Sequence, residues 1–173
     1  MRDEALLWEN ACESKRIYHH NKRTMNGAST MIDEWQYQIR INLEDTRAET
    51  ARRDPQDPSL APLGDILARH NATLKCQYDA FAGYCAVAEA QGIDKFPLYQ
   101  WTKDTIEDPA KKAKYLKAFT LYVDGDEVYD KAKADPLKTD LQPLAESGLL
   151  DKLSKHDTNP ANNPQPPKKY RQS

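Results

Sequence analysis

At 173 residues, with 25 Lys and Arg against 27 Asp and Glu, the chain has room for one ordinary domain with a modest core and lacks the bulk positive charge that holds nucleic acid. Its 6 Gly, 11 Pro and 3 Cys exclude collagen-like, mucin-like and disulfide-dense classes. The longest near-apolar run, 80–88, falls far short of the roughly 18 residues a membrane span needs. Charge is spread evenly: residues 1–53 carry 9 bases and 9 acids, 54–92 carry 2 and 5, 93–155 carry 11 and 12, and 156–173 carry 3 and 1. The opening Met1-Arg2-Asp3-Glu4 places acids where a cleavable address would be basic and apolar, so none is expected.

Leu7, Ala11 and Tyr18, with Trp8 and Cys12 beside them, predict an amphipathic helix over 3–24, closed by Asn26-Gly27. A second helix is expected from Ser29 or Thr30, with Ile32, Trp35, Ile39 and Leu43 as its apolar stripe and a polar extension over 44–53. Residues 54–61 read as a loop. Pro62 then opens a third helix that runs to Gly92, lined by Leu63, Ile66, Leu67, Leu74, Phe81, Cys85 and Ala88. Residues 59–92 hold only five charged side chains, so this helix is expected at the centre, buried on more than one side.

Beyond Gly92 the elements shorten. Asp94 and Pro97 predict a short helix to about Ile106, and Asp108-Pro109 an N-capped helix over 109–122. The Asp124-Gly125 pair between Phe119–Val123 and 126–129 is also a hairpin signal, here set second to helix–turn–helix because of the lysine-rich lead-in. Two further helices, 137–147 and 149–155, are expected to hinge at Gly148. Residues 156–173 hold four prolines and almost no apolar surface, and predict an extended tail that cannot order by its own burial. The expected fold is therefore all-α: a helical hairpin or three-helix bundle over 1–92, a short-helix segment over 93–155 and an extended proline-rich tail.

No glycine-rich phosphate cradle or paired Cys/His metal spacing occurs, and His19-His20 diverge on a helix. Asp124-Gly125-Asp126-Glu127 lacks the oxygen ladder of a calcium loop. Cys76 and Cys85, about 13 Å and half a turn apart on one helix, could not bridge, so reduced thiols are expected. No cofactor or metal is expected. His70, Cys76 and Cys85 are the residual candidates for an unrecognised enzyme. Trp8, Trp35 and Trp101 read as core, and the lysines at 111, 112, 114 and 117 as a solvated helix face.

These features favour a non-catalytic accessory subunit of a large multi-protein assembly, of the kind found in mitochondrial respiratory and ATP synthase complexes or in cilia. Its partners would be other protein subunits rather than nucleic acid, and any membrane association would come through them. The tail, through Pro164, Pro166, Pro167, Lys168, Lys169, Tyr170 and Arg171, is the expected partner-binding element. The alternative is a stand-alone helical adaptor or regulatory module of the cytosol, binding one protein with the same tail.

Overall fold

A computed structural model describes residues 36–163. The helix expected over 3–24 and the residues of the tail beyond 163 lie outside that range. The fold is α+β, which corrects the all-α expectation: four strands form one antiparallel sheet in the order β2-β3-β1-β4. The strands are β1 (Tyr37–Asn42), β2 (Ala72–Cys76), β3 (Ala118–Val123) and β4 (Lys152–Asp157). Helices α1 (Asp45–Arg53) and α2 (Ala61–Arg69) join β1 to β2, and α6 (Lys131–Glu146) joins β3 to β4. Each of these connections returns the chain parallel to its starting strand with one strand between, a pair of split β-α-β units. Between β2 and β3 the chain inserts three helices, α3 (Gln77–Gln91), α4 (Tyr99–Glu107) and α5 (Pro109–Leu116). One sheet thus draws strands from both sides of Gly92.

Four expected helical stretches contain these strands, each for a physical reason. Ile39 and Leu43 have helical spacing, but Ile41 lies between them, and alternation puts Ile39 and Ile41 on one face of β1 and Gln38, Arg40 and Asn42 on the other. The expected helix over 62–91 breaks at Asn71, which adopts a left-handed φ of 47° and ends α2 as a glycine would. Ala72, Leu74 and Cys76 then alternate inward. The lysine-rich helix from Pro109 stops at Leu116, and the β-branched and aromatic run Phe119–Val123 takes the strand. Gly148, φ 80°, ends α6 with a Leu149 N–H to Leu144 carbonyl bond of 2.9 Å, and β4 follows where a helix over 149–155 was expected. Asp124 and Gly125 both have positive φ, 54° and 83°, and make the tight two-residue turn of a hairpin. The returning segment adds only two isolated bridges, Val123 with Asp126 and Tyr37 with Tyr129.

The main core lies between one sheet face and α1, α2 and α6, where Ile39, Ile41, Leu63, Ile66, Leu121, Leu137 and Leu141 pack together. The inserted helices pack on one another and bury a second set: Phe81, Cys85, Ala88, Leu98, Trp101 and Tyr115. The Phe81 and Tyr115 rings meet edge to face at 4.8 Å. Thr102 and Thr105, also buried there, donate their hydroxyls to the carbonyls one turn back, each at 2.8 Å.

Candidate functional site

The sequence-derived enzyme candidates face separate structural tasks. His70 follows α2 and its Nε2 lies 2.8 Å from the Asp140 carboxylate on α6, with the Arg69 guanidinium 3.3 Å from the same oxygen. This set ties α2 to α6, and the His70 bond holds the Asp140 carboxyl below the usual carboxylate range. Cys76 ends β2 and donates to the Tyr115 carbonyl at 3.5 Å, whereas Cys85 is buried within the insertion. Burial pushes both thiols up, away from the reactive thiolate. Both are free thiols; Cys76 ends β2 and Cys85 lies on α3, so they do not share the single continuous helix expected. Pro164, Pro166, Pro167, Lys168, Lys169, Tyr170 and Arg171 lie outside the described residues.

The charged side chains pair locally. The Arg52 guanidinium on α1 clasps Asp79 on α3 through two bonds of 3.0 and 2.7 Å, which lowers the Asp79 carboxyl. Glu89 on α3 accepts from the Tyr99 hydroxyl at 2.8 Å and from Lys103 at 3.0 Å, both on α4, and its carboxyl is lowered by these two donors. Asp124 takes Lys133 at 2.8 Å and the Asn71 amide at 2.9 Å. On the sheet face opposite the main core, register aligns Lys75, Thr120, Arg40 and Ser154 in one cross-strand row. There the Arg40 guanidinium donates twice to Gln38 Oε1, at 2.9 and 2.6 Å, and the Gln38 amide donates to Glu127 at 3.1 Å. Arg40, Gln38 and Glu127 thus satisfy one another within the fold. Among the described residues no cluster of three His, Cys, Asp or Glu could hold a metal ion, and no helix is long and apolar enough to cross a membrane.

The solvent side of α3 departs from this pattern. Gln77, Phe81, Cys85 and Ala88 face inward. The opposite side presents Gly83, Ala86, Val87 and Ala90, all exposed, with Ala82 half-buried at its margin. Val87 is 45% exposed, and Ile93, just past the helix end at Gly92, is 48% exposed; they are the exposed large hydrophobic side chains among the described residues. The two acids of α3 are both drawn aside, Asp79 to Arg52 and Glu89 to α4. A solvated helix face ordinarily carries polar side chains. Here the helix is apolar on both sides and buried on one. The sequence signal is the low charge of 59–92, which predicts burial at the centre. Once β2 takes 72–76 and α3 joins a peripheral insertion, the second apolar face lies at the surface.

Compared with protein-family models, curated proteins and solved structures, the chain matches none.

Proposed function

We propose that this chain is a non-catalytic accessory subunit of a multi-protein assembly, held to a neighbouring polypeptide through the outer face of α3. The observation that carries this reading is the uncharged surface of Gly83, Ala86, Val87 and Ala90, continued by Ile93. Small side chains let a second helix approach to the 8–10 Å typical of packed helices, and removing Val87 and Ile93 from water favours that contact. The sequence-derived tail anchor, Pro164 to Arg171, supplies a second attachment in this reading. A stand-alone adaptor that binds one partner is the second reading, and the two closed cores of the described residues favour it because they let the domain fold by itself.

Site-specific photo-crosslinking tests the proposal in cells that make the protein. A photoreactive side chain at Val87 is expected to capture another polypeptide, whereas one at Ala110, exposed on α5, is not. No product from Val87 overturns the reading. The size of the native complex that carries the product separates a large assembly from a one-partner adaptor.

A further inference from the structure

We infer that the inserted segment 77–117 is a lid, which lifts from the end of the sheet as one body about the point where the chain leaves β2 and enters β3, and which the Arg52–Asp79 clasp holds shut. The hinge follows from the sheet register. Cys76 pairs with Phe119 across the β2–β3 ladder, so Gln77 and Ala118, the next residues, leave the sheet side by side. The three helices between them therefore hang from two adjacent peptide segments, the place where a hinge needs only a few residues to turn. The ladder is complete without them. The buried residues of the main core all lie outside 77–117, and half-buried Tyr78 of α3 rests against its margin.

The insertion also closes a core of its own. Phe81, Cys85, Ala88, Leu98, Trp101 and Tyr115 are buried where α3, α4 and α5 pack on one another. Lifting the intact body keeps these side chains out of water, whereas unfolding it would expose them all. At the hinge, the Leu43 N–H donates to the Lys117 carbonyl at 3.0 Å and Lys117 Nζ lies 3.3 Å from Asp45, which hold the axis in place. Away from the hinge, polar contacts tie the lid down. Arg52 reaches from α1 to Asp79 with both side chains partly exposed. A clasp of this kind contributes little to stability, because water takes over both partners when it opens.

Cys76 and Cys85 lie on different sides of this seam. They are almost equally buried, 4% and 3% exposed, so static exposure does not separate them. Cys76 belongs to the main core and its Sγ meets the Tyr115 carbonyl of the lid at 3.5 Å. Cys85 belongs to the core inside the lid. Lifting uncovers Cys76 and leaves Cys85 covered. Unfolding of the insertion, or of the whole chain, uncovers both.

Thiol labelling with peptide mapping tests the inference. It uses the full chain carrying Cys12→Ser, with each rate divided by that of the same thiol in denaturant. Cys76 is expected to label about tenfold or more faster than Cys85. Arg52→Gln is expected to raise the Cys76 rate about two- to fivefold and to leave Cys85 unchanged. Losing the Arg52 charge by itself would push the Cys76 thiol further up and slow its reaction, so a faster rate reports opening. Equal rates for the two thiols, or a faster Cys85, overturn the inference, as does a Cys76 rate that Arg52→Gln leaves unchanged. Hydrogen exchange separates the lid from fraying of α1. Amides of Thr50 and Ala51 that stay protected while Cys76 labels support the lid, and amides that open at the same rate as Cys76 overturn it.

Discussion

The Tyr129 hydroxyl accepts a hydrogen bond from the backbone N–H of Ile39 at 2.9 Å and donates one to the Leu121 carbonyl at 3.1 Å. Ile39 and Leu121 are cross-strand partners at the end of the β1–β3 ladder, so a side chain completes that rung. Two residues further out, Tyr37 and Tyr129 exchange two backbone bonds of 2.7 and 3.0 Å. The segment after the Asp124-Gly125 turn therefore wedges into the fork between the two central strands, and the buried phenol fastens it there.

Tyr129→Phe keeps the ring and removes both bonds, leaving a buried amide and carbonyl with one partner fewer each. A loss of about 1–3 kcal/mol is expected from urea unfolding. Burial also pushes the Tyr129 hydroxyl up to about 12. A raised value in the folded state means that unfolding releases a proton once pH passes the ordinary tyrosine value near 10. The stabilisation is complete below pH ~10 and is lost as pH rises through about 12. Parallel unfolding curves between pH 9 and 12 should therefore converge for the parent and Tyr129→Phe (values on the order of the tyrosine range). A constant difference would contradict this.

Asn71→Ala distinguishes the observed strand from a continuous helix. In a helix interior the change would stabilise, since alanine has the better propensity. Here Asn71 has φ 47°, and its side-chain amide donates to Asp124 at 2.9 Å. Alanine loses both accommodations, so a destabilisation of about 1–2 kcal/mol is expected. Asn71→Gly should cost less, because glycine tolerates the left-handed conformation. Chemical denaturation of the three proteins gives the order.

Native Cys76 and Cys85 should react slowly with a thiol reagent. Both are buried and both thiols are pushed up by desolvation. In a Cys12→Ser background, which leaves these two thiols, labelling should be limited by opening of the fold and become rapid in denaturant. Fast stoichiometric labelling of the native protein would contradict their placement.

Acid should loosen the helical contacts before neutral conditions do. Asp79, Asp124 and Asp140 are all held below the usual carboxylate range, first by hydrogen bonds from Arg52, Lys133 and His70 respectively. For a lowered carboxyl the stabilisation is present above the ordinary value near 4 and is lost as pH falls through the lower folded-state value. Thermal unfolding should show a falling midpoint below pH ~4, and Asp140→Asn should flatten part of that slope. An unchanged slope in Asp140→Asn would remove the His70–Asp140 pair from the account.

Local chemistry was the legible part of the sequence. Asp108 caps α5 ahead of Pro109, Gly92 ends α3, Gly148 ends α6, and Asp124-Gly125 makes a tight turn, all where residue type anticipates them. Such features depend on the conformational limits of one or two residues and need no distant partner. The strands were not legible in the same way. Ile39 and Leu43 fit a helical stripe as well as Ile41 and its neighbours fit alternation, and β2 has only five residues between two helices. The outer face of α3 was half legible: its lack of charge was plain, but its exposure was not.

By itself, the sequence determined the helix ends at Gly92 and Gly148, the turn at Asp124-Gly125, that no run could span a membrane, and that 59–92 would carry little charge. Tertiary structure decided that 37–42, 72–76, 118–123 and 152–157 become strands, because each finds its hydrogen-bond partners only in segments far along the chain. It also decided which apolar side of α3 is covered. That follows from how many neighbours an inserted helix has in three dimensions, a quantity that spacing along the chain does not contain.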